Sequence, residues 1–137
     1  MVIVDASVAY KWFAKNEEDS DLALSILQEH INGQEKIVVP DLILCELANA
    51  WVTKTAISSS RVKTNLEDLQ NARLEVESPT FDLLAKAAAS AKKYMISVYD
   101  AIYAVLAKDK RCSLVTADKK FAEKINLPYV KLLEEFS

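Results

Sequence analysis

The sequence predicts an α/β domain built around a mostly parallel central sheet. The chain begins with an apolar run, Met1 to Val4, whose β-branched side chains are typical of a strand buried on both faces. Two later segments, Ile37–Val39 and Ser113–Thr116, are similarly rich in apolar and β-branched residues. Stretches with helical spacing separate these strands, and such alternation is the pattern of α/β proteins. The length of 137 residues favours a single domain over residues 1–137.

Most of the predicted helices begin or end at a recognisable residue type. Asn32-Gly33 is a common C-terminal stop, Pro40-Asp41 precedes a helix, and Ser58 and Thr80 are favoured N-cap residues. The predicted helices cover residues 7–15, 22–33, 42–55, 58–73, 81–94 and 98–108, and a short one starts near residue 118. The predicted strands cover residues 1–4, 37–39, 74–77 (an edge strand), 113–116 and 129–130.

Scarce residue types exclude several kinds of catalytic site. The single glycine, Gly33, rules out glycine-rich nucleotide-binding loops and the nucleophile elbow of α/β-hydrolases. The single histidine, His30, leaves no histidine-rich metal site, and its place at a helix end indicates a surface residue. Cys45 and Cys112 fit neither a zinc cluster nor a disulfide framework, and Cys45 is expected to be a small core residue.

The overall charge and the start of the chain also limit the function. A net charge of −3 disfavours binding to bare nucleic acid, unless several acids carry a divalent cation that reverses the local field. No apolar run approaches the ~18 residues of a membrane span, and no signal peptide is visible. We therefore expect a cytoplasmic protein with no membrane contact.

Four acids stand in unusual surroundings. Asp5, Glu46 and Asp100 are each the only charge in an apolar segment, and Asp118 directly follows the strand at 113–116. Ligands of open α/β sheets bind at the carboxyl ends of the strands, where Asp5 and Asp118 stand. Each acid alone is explained equally well as a helix cap or a solvent-facing residue. The four together predict a shared acidic site, because buried carboxylates are normally paired, hydrogen-bonded or bound to metal.

Such a site indicates one class of reaction. Carboxylate oxygens are hard ligands that suit Mg²⁺ or Mn²⁺ better than zinc or copper. These ions keep several waters, complete their coordination with substrate phosphate and activate a water as nucleophile. Since no Ser, Cys or His triad is available, the residues favour metal-assisted phosphodiester hydrolysis.

Four segments resemble motifs of the PIN-domain ribonucleases, and among them the VapC toxins of prokaryotic toxin–antitoxin pairs. They are Val-Ile-Val-Asp-Ala-Ser-Val (2–8), Pro-Asp-Leu-Ile-Leu-Cys-Glu-Leu-Ala-Asn-Ala (40–50), Tyr-Asp-Ala-Ile-Tyr (99–103) and Leu-Val-Thr-Ala-Asp-Lys-Lys-Phe (114–121). The resemblance covers essentially the whole chain. It implies a three-layer α/β/α fold and endonucleolytic cleavage of RNA by a water that Mg²⁺ or Mn²⁺ activates.

The same resemblance assigns the acids to a catalytic metal site. Asp5 and Asp100 would be the most direct ligands. Glu46 and Asp118 would coordinate through water or hold a second ion, so the number of ions stays open.

The polar and basic residues beside the acids each allow a functional and a structural interpretation. The hydroxyls of Ser7 and Thr116 would orient a carboxylate or donate to a substrate phosphate, although helix capping and strand propensity explain them equally well. Lys11, Lys119 and Lys120 would contact phosphate or form part of a solvated surface.

The resemblance also implies partners. Toxins of this kind are homodimers held inactive by a cognate antitoxin, so the expected partners are an RNA substrate, an antitoxin and a second copy. Aromatic side chains are favoured interface anchors. Four would line the groove that the antitoxin fills, or else belong to the core: Trp12, Phe13, Trp51 and Tyr99.

Three alternatives compete with this assignment. A haloacid-dehalogenase-type phosphatase needs a second acid two residues after the first, where this chain has Ser7. A response-regulator receiver domain needs paired acids at the first strand end, whereas Val4 precedes Asp5. A catalytically silent PIN-like scaffold that binds RNA or a partner stays open, because intact acids do not prove turnover.

Overall fold

The computed structural model describes residues 1–136, which contain a five-stranded sheet. The strands are β1 (Val2–Val4), β2 (Ile37–Pro40), β3 (Glu75–Glu77), β4 (Ser113–Thr116) and β5 (Val130–Leu132). They lie in the order β3-β2-β1-β4-β5, and every neighbouring pair is parallel. The predicted α/β class with a parallel central sheet is confirmed.

Helices cover both faces of this sheet. They are α1 (Ala6–Lys11), α2 (Ser20–Ile31), α3 (Leu42–Lys54), α4 (Ser59–Asn71), α5 (Phe81–Tyr94), α6 (Val98–Lys110) and α7 (Lys119–Ile125), and a 3₁₀ turn follows at Leu133–Glu135. Helix α6 packs on β1, β2, β4 and α5, whereas α1 packs on β1, β4, α2 and α3. Because every residue of β1 and β2 is buried, the sheet is the middle of three layers. None of the helices within residues 1–136 is both long and apolar enough to span a bilayer.

The register of the central strands determines where the acids meet. In the pairing of β1 with β4, Val4 lies opposite Val115, and the amide of Asp5 donates to the carbonyl of Val115 at 3.3 Å. Since all strands are parallel, their carboxyl ends share one edge of the sheet. This edge therefore carries both Asp5, directly after β1, and Asp118, just after β4.

Most element boundaries agree with the sequence prediction to within two residues, and α5 and β4 match it in full. Helix α1 is shorter than predicted: it ends at Lys11, where Trp12 turns inward and its indole Nε1 donates to the carbonyl of Ala23 at 2.9 Å. Strand β5 starts one residue later than predicted and reaches Leu132, which pairs with Thr116.

The prediction that Cys45 belongs to the core is wrong. Cys45 is exposed on α3. The buried positions of this helix are Ile43, Leu47 and Trp51, which recur every four residues and so form one stripe. Cys45 stands two residues from Ile43 and Leu47 and faces away from that stripe, although its neighbours in sequence are apolar.

His30 is also not the solvated surface residue that the sequence indicated. Its ring is half-buried and bridges three segments: Nδ1 accepts the amide N–H of Ile37 at 3.0 Å, and Nε2 lies 3.0 Å from the carbonyl of Ala72. With Nδ1 as acceptor, Nε2 carries the hydrogen and donates it to Ala72. His30 thus joins the end of α2 to β2 and to the end of α4, away from the acids.

Candidate active site

A cavity of about 570 Å³ opens at the carboxyl edge of the sheet, and all four predicted acids line it. Asp5 follows β1, Glu46 lies on α3, Asp100 is in the first turn of α6, and Asp118 is the N-cap of α7. Other polar lining residues are Ser7, Lys11, Glu17, Asn49, Lys54 and Tyr103. The fold therefore brings four widely separated carboxylates to one site.

Asp5 is the most firmly held of these acids. Its Oδ1 accepts the amide N–H of Ser7 at 3.1 Å, the hydroxyl of Ser7 at 2.5 Å and the amide N–H of Val8 at 3.3 Å, as expected at the N-cap of α1. Its Oδ2 accepts the hydroxyl of Thr116 at 2.5 Å. The residue is only 8% exposed. These bonds fix the orientation of the carboxylate.

The hydroxyls of Ser7 and Thr116 are fully engaged in this arrangement. Ser7 Oγ also accepts the amide N–H of Ala117 at 2.8 Å, and Thr116 Oγ1 accepts the amide N–H of Asp118 at 3.1 Å. A hydroxyl has one hydrogen to donate, and both residues give theirs to Asp5. The geometry favours the role of orienting a carboxylate over that of donating to a phosphate.

The other three acids are held by fewer contacts. Glu46 Oε1 accepts the phenolic hydroxyl of Tyr103 at 2.6 Å. Asp118 Oδ1 accepts the amide N–H of Phe121 at 3.1 Å, so Asp118 also caps α7. Asp100 is placed by the N-cap of α6, where its own amide donates to Ser97 Oγ at 3.0 Å. The hydroxyl of Ser97 also interacts with its carboxylate and partly offsets the rise of its pKa.

The electrostatic environment disfavours the charged form of these carboxylates. Burial raises the pKa of Asp5 to about 6, and the hydrogen bonds from Ser7, Thr116 and Val8 offset only part of that rise. Burial also raises the pKa of Glu46 and of Asp100. The charge of Asp100 adds to the rise at Asp5 and Glu46, and that of Asp118 adds to the rise at Asp100.

No ion pair within the described chain compensates for this repulsion. The ion pairs of residues 1–136 involve other acids, and none includes one of the four. Lys11 and Lys54 line the cavity without pairing with these acids, and a divalent cation among the carboxylates would relieve both repulsion and burial.

The donor set fits Mg²⁺ or Mn²⁺ better than zinc. Within the described chain, the cavity lining offers oxygen donors but no His or Cys, the ligands that are typical of zinc. No three His, Cys, Asp or Glu side chains of residues 1–136 converge closely enough to hold an ion by themselves. Mg²⁺ instead takes one or two carboxylates and keeps several waters. Hard oxygen donors at separate points of a 570 Å³ cavity suit that mode of binding.

The three predicted phosphate-contacting lysines are placed differently from one another. Lys11 lines the acidic cavity, but its Nζ donates to the carbonyl of Glu18 at 2.6 Å. Lys119 lies outside the cavity and forms an ion pair with Glu134 at 3.7 Å. Lys120 is exposed and does not line the cavity either.

Of the two interpretations of the aromatic residues, membership of the core is the one that fits Trp12 and Trp51. These two have 6% and 2% exposure, and Phe13 packs edge-on against Trp51 with ring centroids 5.0 Å apart. Tyr99 is exposed. Within residues 1–136, none of the four aromatics lines the acidic cavity.

Sequence reasoning missed three polar residues of the cavity. Tyr103 follows Asp100 by three residues on α6, and Asn49 follows Glu46 by three on α3, so each pair shares a helix face. Lys54 stands two turns after Glu46 on the same helix. Counting positions along the helix from each isolated acid would have found all three.

Comparison with protein-family models matches residues 2–126 to the PIN domain. The chain belongs to the PIN domain family. Among solved structures, the PIN domain resembles PAE2754 from Pyrobaculum aerophilum, with 21% identity, a TM-score of 0.73 and coverage of 97% of this chain and 90% of that one. A search of curated protein sequences gives no significant match.

Two further structural neighbours share the PIN domain fold. A toxin–antitoxin complex from Klebsiella pneumoniae matches with 14% identity, a TM-score of 0.73 and coverage of 99% and 100% of the two chains. The sarcin-ricin loop cleaving toxin VapC20 from Mycobacterium tuberculosis matches with 14% identity, a TM-score of 0.70 and coverage of 96% and 98%. These likenesses extend over the full length of the fold.

Proposed function

We propose that this PIN domain is an endoribonuclease that needs Mg²⁺ or Mn²⁺ to hydrolyse RNA phosphodiester bonds. The observation that carries the proposal is the meeting of four carboxylates, from four separate elements, in one cavity at the carboxyl edge of the sheet. Packing does not require such a cluster, and burial opposes it. A binding site for a cation and a phosphodiester explains why it is there.

The four acids would have different roles in metal binding, according to the contacts that hold each of them. Asp5 and Asp100 would ligate an ion directly: Asp5 is held in one orientation, and the Asp100 carboxylate lines the cavity with only the exposed hydroxyl of Ser97 beside it. Glu46 and Asp118 would act through water or on a second ion. The bound cation would supply an activated water and offset the charge of the scissile phosphate.

The remaining polar residues would assist the acids and the substrate. Ser7 and Thr116 would keep Asp5 fixed while the ion and the phosphate exchange. Lys54 and Lys11 would provide positive charge for flanking phosphates, because both line the cavity beside the acids.

We further propose that the chain is the VapC-like toxin of a toxin–antitoxin pair. Support comes from the Klebsiella pneumoniae neighbour, which is a toxin–antitoxin complex, and from VapC20, which cleaves the sarcin-ricin loop. A cognate antitoxin, a second copy of the chain and a cytoplasmic RNA substrate are the partners that this proposal entails.

Cleavage of a mixed RNA pool by the purified protein tests the catalytic proposal. Cleavage should appear with Mg²⁺ or Mn²⁺ and stop with EDTA. Removing a hydrogen-bonding partner of a metal ligand lowers activity by up to ~100-fold. Asp5→Asn and Asp100→Asn change proposed ligands themselves, so each should lower the cleavage rate by more than that. Asp21→Asn, at an exposed acid of α2, is the matched control and should cut like the wild type.

Two results would contradict the proposal in different ways. Cleavage that persists in EDTA or in both variants would place the activity elsewhere. RNA binding by the folded wild type without any cleavage would instead support the silent scaffold.

A further inference from the structure

Glu46 differs from the other acids in that its partner is a buried tyrosine. We propose that Tyr103 is a positioning residue that, through Glu46, sets the affinity of the cavity for a divalent cation. This inference rests on the proposed function, because it assumes that the acids bind such an ion. It concerns a residue to which the four motifs assign no role.

The hydrogen bond between these residues connects two separate helices. Tyr103 lies on α6, three residues after Asp100, and donates to Glu46 Oε1 of α3 at 2.6 Å. Helix α3 packs mainly on α1 and α4, and α6 is not among its main packing partners. The bond therefore ties the helix that carries Glu46 to the helix that carries Asp100.

The position and the hydrogen-bonding options of the Tyr103 side chain are restricted. Its side chain is 1% exposed, and a buried phenol needs a hydrogen-bond partner. Glu46 Oε1 is the acceptor that it has within residues 1–136. Because the ring is packed and the hydroxyl has one hydrogen, the bond selects one position for Oε1.

Glu46 in turn depends on this bond for its position. The residue is partly exposed, and no ion pair with a Lys or Arg of the described chain holds it. A glutamate has several rotatable bonds, so without Tyr103 it would leave the cavity part of the time. Removing the hydrogen-bonding partner of a metal ligand typically lowers metal affinity by about 10–100-fold.

Calorimetric titration of the whole protein with Mn²⁺ alone tests the inference. Four forms are compared: wild type, Tyr103→Phe, Glu46→Ala and the double variant. Tyr103→Phe keeps the ring and should weaken Mn²⁺ binding about tenfold, the lower end of the range for such partners. In the Glu46→Ala background, the same substitution should have no further effect, because Tyr103 acts only through Glu46.

Tyr129→Phe is the matched control, because this tyrosine lies near the amino end of β5, at the opposite edge of the sheet, and should bind Mn²⁺ like the wild type. Urea unfolding of each variant separates affinity from stability. A purely structural role for Tyr103 would lower stability equally with and without Glu46 and leave Mn²⁺ affinity unchanged.

The outcomes separate this inference from the proposed function. An unchanged Mn²⁺ affinity in Tyr103→Phe, or an equal loss in the Glu46→Ala background, overturns the inference even if the wild type cleaves RNA. A Mn²⁺ affinity that depends on Tyr103 only when Glu46 is present upholds the inference even if no RNA is cleaved.

Discussion

The two sides of the acidic cavity are built in different ways. On the sheet side, Asp5 accepts four hydrogen bonds and is almost fully buried between the ends of β1 and β4. On the helix side, Glu46 accepts one bond from Tyr103, and the Asp100 carboxylate interacts with the hydroxyl of Ser97. Asp5 is therefore held at more points than either acid of the helix side. The difference shows that rigidity and burial come together at Asp5, and that burial is what raises its pKa.

The largest expected effect is on stability at Asp5. In metal-free buffer, the free energy of unfolding of Asp5→Asn relative to the wild type should increase by up to about 3 kcal/mol between pH 4 and pH 7, from about two pKa units at 1.36 kcal/mol each. The pKa of Asp5 rises from 3.8 to about 6 on folding, so between these values the folded state binds a proton that the unfolded state has released. The wild type therefore loses stability as pH rises from about 4 to 6 and stays level above that range.

Urea unfolding at pH 4 and pH 7 in EDTA measures this contribution. The advantage of Asp5→Asn over the wild type should be large at pH 7 and small at pH 4. Asp100→Asn is the helix-side counterpart and should gain less, because Asp100 is only partly buried. An equal increase in the free energy of unfolding at both pH values, or an equal increase in the two variants, would contradict the distinction between the two sides of the cavity.

Thr116→Val should have the next largest effect, and in the opposite direction for stability. Valine keeps the β-branched shape of the strand but removes the hydroxyl that donates to Asp5 and accepts from the amide of Asp118. We expect RNA cleavage to fall about 10–100-fold and the free energy of unfolding to fall by about 1–2 kcal/mol.

Cleavage rate and urea unfolding are measured on the same preparation. Thr64→Val, on the exposed side of α4, removes a hydroxyl far from the acids and serves as the control. Cleavage by Thr116→Val at the wild-type rate would mean that Asp5 does not need this support.

Ser97→Ala should have the smallest effect and sharpens the comparison from the helix side. It removes the N-cap of α6, whose hydroxyl accepts the amide N–H of Asp100, and should cost about 1 kcal/mol of stability. Cleavage should fall by less than the ~10-fold expected for a buried partner of a metal ligand, because Ser97 is exposed and water can replace its hydroxyl beside the Asp100 carboxylate. Thermal unfolding and initial cleavage rates give both values. A loss as large as that of Thr116→Val would show that the helix side is equally dependent on fixed geometry.

The positions of the acids were predictable because charge in an apolar segment has few explanations. Asp5 and Asp118 follow buried strands, and parallel strands bring their carboxyl ends to one edge. Asp100 and Glu46 were found because each is the lone charge of an apolar segment. Fold class followed from the same apolar strands, whose burial the structure confirms.

Contacts between elements were not predictable in the same way. The bond between Tyr103 and Glu46 depends on how α3 and α6 lie relative to each other, which no local pattern encodes. Cys45 was assigned to the core because its neighbours in sequence are apolar, and His30 was assigned to the surface because it lies at the end of a helix. Such local patterns indicate an average environment but not the face on which a residue lies. For Trp12 and Trp51 the sequence left a groove and the core open, and only their packing in the fold shows that they belong to the core.

The bond between Thr116 and Asp5 joins residues that are 111 positions apart. Proteins are made from the N-terminus, so Asp5 leaves the ribosome 111 residues before Thr116 of β4. Until then β1 lacks its β4 neighbour, and the three earlier acids have no common cavity. The proposed nuclease would thus stay inactive until β4 and Asp118 have been synthesised.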